Sequence, residues 1–181
     1  VPRLLDDDTA VRLVAVTAAR ALFAKIRRSA ALVVDPLIVV LLDKGSPPTL
    51  RVRTATALGE LREARAAEGL ILALEDGIPA VAHATQQALL TLTRTDPSRC
   101  GLRWASWFSK NASRHRTEWL IDALLSPEGA EREAAASELK EQHKVYFGYY
   151  ADLPLVERER AHKRYLEWWE TEGRKQLHER G

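Results

Sequence analysis

Apolar residues recur along this chain at intervals of three and four, the period of an amphipathic α-helix, through most of its length. Alternating apolar and polar runs joined by Asn-Gly or Asp-Gly, which would predict β-hairpins, are absent. Asp76-Gly77 does occur, but it follows a helical stretch and precedes Ile78-Pro79, so it predicts a helix C-cap. The pattern therefore predicts an all-α fold.

Four of the helical segments align with one another without gaps. Small or apolar residues occupy their second, sixth, ninth and tenth positions, with exceptions such as Glu131 and Glu138. Such self-similarity is typical of repeat proteins. The four segments are AVRLVAVTAARAL from Ala10, TLRVRTATALGEL from Thr49, AVAHATQQALLTL from Ala80 and AEREAAASELKEQ from Ala130.

A shorter apolar helix is predicted before each of the last three segments, over 35–44, 64–76 and 116–126. Asp35-Pro36 predicts the start of the first one, with Asp as the N-cap and Pro at the first helical position. Prolines interrupt the chain between the paired helices, at Pro47-Pro48, Ile78-Pro79 and Ser126-Pro127. The repeating unit is thus helix, tight turn, helix.

This unit resembles the HEAT repeat, particularly the short bacterial form found in phycobilisome-lyase-type HEAT proteins. The stretch TLRVRTATALGELREARAAEGLILALEDGIPAVAHATQQALLTL carries the resemblance best, and related units cover 8–142. The resemblance implies an α-α superhelix, a single solenoid domain over 1–181, in which stacked pairs bury a continuous core. It also implies that the second helix of each pair faces the concave surface.

The third position of three aligned segments holds an arginine, namely Arg12, Arg51 and Arg132. Asp8 precedes Arg12 by four residues, and Glu128 precedes Arg132 by the same spacing. We therefore expect these arginines to brace the preceding turn through a carboxylate.

Aromatic residues are concentrated in the second half of the chain, where all five Trp follow Arg103. RWASWF (103–108) matches RYLEWW (164–169), and in each the rings fall on one helical face. We expect the helices over 98–111 and 154–173 to pack these rings against the repeats and to cap them. For VYFGYY (145–150) we expect docking of the rings on the fourth helix pair, the alternative being a ligand-binding lip.

Charge is balanced overall, with 27 basic and 25 acidic residues and a net charge of +2, so bulk electrostatics gives no argument for nucleic-acid or membrane binding. The segment 94–116 is the exception, with one acidic residue among six basic ones. A candidate anion-binding set lies there, the alternative being a solvated rim around packed rings. Its members are Arg99, Arg103, Lys110, Arg114 and Arg116.

Motifs for chemistry are missing. The five His show no metal-ligand spacing, and Walker, GxSxG and GxGxxG patterns are absent.

The lone Cys100 indicates a reducing compartment, hence the cytoplasm, and we interpret it as a small loop residue rather than a reactive thiol. The longest apolar run, 36–42, is too short to span a membrane. We expect no metal, no cofactor, no membrane association and no enzymatic activity. The chain contains no Met, so a preceding segment or a larger parent protein stays open.

The eighth position of every aligned segment is small or polar and uncharged, which suggests a ridge that a partner protein can approach closely. Our leading hypothesis is a non-catalytic scaffold that binds another protein through this ridge. Two alternatives are a nucleic-acid-binding HEAT protein similar to the alkylpurine glycosylases, using 94–116, and a lyase-accessory HEAT protein. The predicted ridge residues are Thr17, Arg20, Thr56, Glu60, His83, Gln87, Thr91, Ser137, Lys140 and Glu141.

Overall fold

The computed structural model describes residues 2–26 and 29–179, with the backbone alone for Cys100 and for 177–179. Within these ranges the regular structure is helical and contains no β-strand, which confirms the all-α prediction. The interpretation of the Cys100 thiol lies outside the described side chains.

The chain forms two compact units. Unit 1 comprises Val1–Leu92 and Arg103–Phe108, and unit 2 comprises Thr93–Leu102 and Ser109–Gly181. The first half of the chain contains a 3₁₀ turn at Pro2–Leu5 and then the helices α1 (Thr9–Lys25), α2 (Ser29–Leu42), α3 (Pro48–Leu61), α4 (Ala67–Ala73) and α5 (Pro79–Thr93).

The second half begins with a 3₁₀ turn at Pro97–Cys100 and ends in one nearly continuous helical segment. Its helices are α6 (Trp104–Asn111), α7 (Arg116–Ala123), α8 (Gly129–His143) and α9 (Leu155–Trp168), followed by a π-helical turn at Trp169–Gly173 and by α10 (Arg174–Glu179).

The four aligned sequence segments lie in α1, α3, α5 and α8, and each begins at the second residue of its helix. The shorter helices expected before the last three segments are present as α2, α4 and α7. In unit 1, α2 packs against both α3 and α4, and α1 packs against α3. The sequence period therefore corresponds to a recurring order of helices along the chain.

The core of unit 1 consists of aliphatic side chains that are almost completely excluded from solvent. Leu37 and Leu41 of α2 and Leu58 of α3 are each 0% exposed. A glycine permits the closest helix approach, because a Cβ at Gly59 would lie 2.7 Å from Cα of Ala88 in α5. Small side chains are needed here because two backbones nearly touch.

The predicted start of α2 at Asp35-Pro36 is wrong. The helix begins at Ser29 and contains Pro36 in its interior. An interior proline costs a helix about 3 kcal/mol, since it removes a hydrogen bond and crowds the preceding turn. Burial of Ala30 and Val34 offsets much of this cost, because complete burial of a valine contributes about 1.5–3 kcal/mol.

The predicted C-cap at Gly77 is also wrong. Among the described glycines, the left-handed conformation occurs at Gly101 and Gly148, not at Gly77. The carboxylate of Asp76 orders this turn instead, because it accepts a hydrogen bond from the backbone N–H of Ile78 at 3.0 Å.

The third-position arginines brace turns as expected, but through backbone carbonyls rather than through the acids four residues earlier. Nη1 of Arg12 donates to the backbone carbonyls of Asp6 and Asp7, at 2.7 and 3.0 Å. In the same way, Nη1 of Arg132 donates to the carbonyls of Ser126 and Pro127, both at 2.8 Å. Arg51 donates from Nε to the carbonyl of Leu41 at 2.8 Å. The Asp8 carboxylate instead caps α1, accepting from its first backbone N–H groups. A guanidinium suits this task because its several donors reach two carbonyls at once.

Aromatic rings form much of the core of unit 2. Tyr165, Trp168 and Trp169 are 1%, 6% and 1% exposed, so the face predicted on the last long helix is a packing face. Phe147 packs edge-on against Tyr165, with ring centroids 4.8 Å apart. The corresponding face of α6 is less buried: Trp104 is 9% exposed and meets a half-buried Trp107 edge-on at 5.7 Å.

The segment 145–150 docks only some of its rings. The hydroxyl of Tyr149 donates to the backbone carbonyl of Leu124, and Tyr149 is buried. Tyr146 and Tyr150 are 48% and 61% exposed and meet edge-to-face at 5.9 Å. The expectation that every ring would dock is therefore wrong for these two, because Gly148 with φ +71° turns the chain between them.

Candidate functional site

The eighth position of each aligned segment is solvent-exposed in the folded protein. Thr17, Thr56, Gln87 and Ser137 are all exposed, and each lies next to at least one buried residue of its own helix. In α3, for example, Ala55 and Ala57 on either side of Thr56 are 0% and 1% exposed. The eighth position is thus an outward point at the same register in each second helix.

The threonine hydroxyls of this set are already hydrogen-bonded within their own helices. Thr17 donates to the carbonyl of Leu13 at 2.9 Å, and Thr56 donates to the carbonyl of Val52 at 3.1 Å. A protein that covered these side chains would therefore leave no hydroxyl donor unsatisfied. Such positions are inexpensive to desolvate.

The other predicted ridge residues differ in exposure. His83, Lys140 and Glu141 are exposed, whereas Arg20, Glu60 and Thr91 are half-buried. The ammonium of Lys140 lies 5.6 Å from the ring centroid of the exposed Tyr146, a cation–π distance.

In unit 1 each second helix contacts the next second helix along the chain. α1 contacts α3, and the close approach at Gly59 joins α3 to α5. Thr17, Thr56 and Gln87 therefore lie on the three second helices of one unit, α1, α3 and α5. Ser137, Lys140 and Glu141 lie on α8 of unit 2.

The five residues of the candidate anion-binding set have different surroundings. Arg99 contacts Glu128 and Glu131 at 3.0 and 3.4 Å. Arg114 pairs with carboxylates of α7, and Arg116 is buried against Glu138 at 2.6 Å. Arg103 and Lys110 are exposed. Three of the five cations are thus engaged by carboxylates that sequence reasoning did not place beside them.

Two carboxylates are buried and paired with cations in the folded protein, and the sequence did not predict either pairing. Asp76 is held by the guanidinium of Arg51 and the ammonium of Lys44, and hydrogen bonds from these two groups keep the pKa of Asp76 far below its usual range. Glu138 is 2% exposed and contacts Arg94 at 3.2 Å as well as Arg116. The signal for Glu138 was present in the sequence, since it is an acid at a small-or-apolar repeat position.

Histidines are brought together in unit 2 despite their distance along the chain. The hydroxyl of Thr117 lies 3.0 Å from Nδ1 of His115 and 3.0 Å from Nε2 of His143. Local spacing gave no indication of this cluster, because α7 and α8 must pair before the side chains meet.

Metal-binding groups of three or more His, Cys, Asp or Glu side chains do not occur among the described residues. In the same part of the chain, every helix is too short or too polar to cross a lipid bilayer.

No protein-family model matches this chain, and no curated protein has a significantly similar sequence.

Proposed function

We propose that this protein is a non-catalytic interaction scaffold, a HEAT-like α-solenoid of the cytoplasm that binds a partner protein through its second helices. The exposed eighth position on α1, α3, α5 and α8 is the observation that carries the proposal. All four repeats keep this exposed position free of charge, and in each at least one adjacent residue is buried.

The chemistry of this ridge favours a protein partner over a small ligand or a nucleic acid. Thr17 and Thr56 present a methyl group and a hydroxyl whose donor is already used within the helix. A protein surface that packs on them loses little solvation free energy. On α5 the eighth position is Gln87, and with the exposed His83 on the same helix it provides polar contacts that fix the register of the partner.

The alternative of nucleic-acid or anion binding has less support, because Arg99, Arg114 and Arg116 are occupied by carboxylates. A lyase-accessory role has no geometric feature in its favour among the described residues.

Site-specific photo-crosslinking tests the proposed surface. A photoreactive residue at Thr56 or Gln87, introduced into the full chain and exposed to native cell lysate, is expected to label one saturable partner protein. The matched control is the same residue at Glu68, an exposed position on α4. Equal labelling of the same protein from Glu68 would contradict a ridge on the second helices.

Affinity measurements with that partner complete the test. Replacing Thr56, His83 and Gln87 together with Ala is expected to weaken binding about tenfold or more, as interface contacts of this kind commonly do. The control triple variant replaces the exposed residues Val39, Glu68 and Glu75, which lie on or just after first helices. Unchanged affinity in the ridge variant, with circular dichroism showing intact folding, would reject the proposal.

A further inference from the structure

Three side chains of unit 2 form a hydrogen-bonded chain between the start of α7 and the end of α8. Nδ1 of His115, Oγ1 of Thr117 and Nε2 of His143 follow one another at 3.0 Å spacings. Thr117 is 1% exposed, so its hydroxyl depends on these two rings and not on water. His115 is also the N-cap of α7, where its ring accepts a hydrogen bond from the backbone N–H of Thr117 at 3.2 Å.

The N-cap hydrogen bond determines which groups donate and which accept in this series of hydrogen bonds. Nδ1 of His115 accepts from the backbone and therefore carries no proton, so His115 is neutral in this arrangement. The Thr117 hydroxyl must then direct its single proton toward Nδ1, since two lone pairs would otherwise face each other at 3.0 Å. Nε2 of His143 is consequently the donor to Thr117, a role that both the neutral and the protonated ring of His143 can fill.

The two rings lie at helix ends of opposite polarity. His115 caps the amino end of α7, where the helix dipole disfavours a positive charge, and His143 is the last residue of α8, where the dipole favours one. The helix dipoles thus favour the neutral ring at His115, which accepts hydrogen bonds, and the protonated ring at His143, which donates one. On acidification His143 therefore accepts a proton before His115 does.

Other charged groups around the pair keep a constant charge at mildly acidic pH. Arg114 and Arg174 are always protonated and contact the Glu118 carboxylate, each at 3.2 Å. Burial raises the pKa of Glu118, but the indole of Trp169 and the Arg114 guanidinium outweigh it and hold that pKa below its ordinary value. The backbone N–H of His115 also donates to Glu118, at 3.3 Å. Within this cluster the histidines are thus the groups whose charge changes.

The histidine rings are also the surface on which the C-terminal aromatic residues rest. His115 stacks on Trp169 with centroids 5.0 Å apart, and His143 meets Trp168 edge-on at 5.1 Å. Both tryptophans belong to the turn where α9 passes into the π-helical segment. A Cβ at Gly173 would lie 2.6 Å from Trp169, so this turn is closely fitted around the rings.

We propose that His115, Thr117 and His143 form a pH-sensitive clasp, which holds the Trp168–Gly173 turn on α7 and α8 at neutral pH and releases it when His115 is protonated. Protonation turns Nδ1 into a donor, so both rings then direct N–H groups at Thr117 Oγ1. The backbone N–H and the hydroxyl of Thr117 lose their acceptor in a buried position. Folding in this region favours the neutral form of His115. The contribution of His115 to the stability of the folded state is therefore complete above the ordinary histidine pKa of about 6.5 and is lost as the pH falls below it.

Hydrogen exchange of the full chain tests the clasp. Amide protection over 155–176, corrected for the intrinsic pH dependence of exchange, is expected to fall about tenfold or more between about pH 7.5 and about pH 5. His115→Asn supplies a cap acceptor that does not titrate. This variant is expected to keep the protection seen at neutral pH and to lose the acid response.

Control variants separate the clasp from general acid effects. His83→Asn, in unit 1, and His162→Gln, at 3.9 Å from Asp122, are expected to keep the acid response of the wild-type chain. A full acid response in His115→Asn, or equal protection of the wild-type chain at both pH values, would overturn the proposal.

Histidine ring resonances of the wild-type chain give a second test that requires no variant of the clasp. The titration midpoint of His115 is expected below the ordinary histidine value of about 6.5, and the midpoint of His143 above that of His115. A His115 midpoint at or above about 6.5 would by itself overturn the clasp.

Discussion

The carboxylate of Asp76 and the guanidinium of Arg51 form an ion pair in which each side chain is only 1% exposed. Arg51 comes from the third residue position of a repeat, and Asp76 comes from the turn after the following short helix α4. The pair therefore connects two successive helix pairs of unit 1. Its two charges compensate each other away from water, as buried charges must.

Asp76→Asn is expected to lower the free energy of unfolding by about 3–5 kcal/mol, because it leaves the Arg51 charge buried without a counterion. Urea denaturation followed by circular dichroism measures the change. The matched control is Asp35→Asn, which breaks the exposed Arg65–Asp35 pair and is expected to cost about 1 kcal/mol or less. Similar losses in the two variants would contradict the central role of Asp76.

Acid sensitivity follows from the same pair. The folded-state pKa of Asp76 is far below its ordinary value, so its contribution to stability is complete above about pH 4 and is lost progressively as the pH falls toward the folded-state pKa. The free energy of unfolding of the wild-type chain should therefore fall steeply below about pH 4. Asp76→Asn should show a shallower fall over the same range, and parallel curves for the two proteins would disprove this assignment.

Glu138→Gln is expected to destabilise unit 2 by about 3–5 kcal/mol, since Arg116 and Arg94 would lose the carboxylate that compensates them. Glu141→Gln, on an exposed face of the same helix, is expected to change stability by less than about 0.5 kcal/mol. Thermal unfolding of both variants provides the comparison. An unchanged melting temperature of Glu138→Gln would mean that these arginines bind other acceptors.

Gly59→Ala is expected to destabilise unit 1 by about 1–3 kcal/mol, although alanine is the better helix former, because the new Cβ would overlap backbone atoms of Ala88. Gly77→Ala is the control, since a Cβ there meets nothing within 4 Å and the backbone is not left-handed. That variant should be neutral or slightly stabilising, by about 0.4–1 kcal/mol. Equal melting temperatures for the two variants would show that α3 and α5 can separate easily.

Retention on heparin distinguishes a paired basic segment from an anion site. We expect no retention at about 0.1 M salt, because three of the five residues of the candidate anion-binding set are engaged with carboxylates. Salt-dependent retention that disappears in the Arg103→Ala, Lys110→Ala double variant would instead revive nucleic-acid binding. Lys25→Ala, at the exposed end of α1, is the control for loss of one positive charge.

The sequence by itself determined the helices and their repeat register. The apolar period and the proline breaks predicted the starts of the second helices to within one residue, because amphipathic periodicity and the missing N–H of proline act locally. The exposure of Thr56 and Gln87 followed from the same register, since a helix that buries one face must present the other to solvent.

Tertiary structure decided where the helix ends lie and which charges meet. Pro36 lies inside α2, where burial of Ala30 and Val34 offsets much of its cost, and no local signal includes that burial. Glu138, like Asp76, is compensated by arginines from other helices, so its partners exist only after packing. The clasp arises in the same way, because His115 and His143 come within reach of one hydroxyl only when α7 and α8 lie side by side.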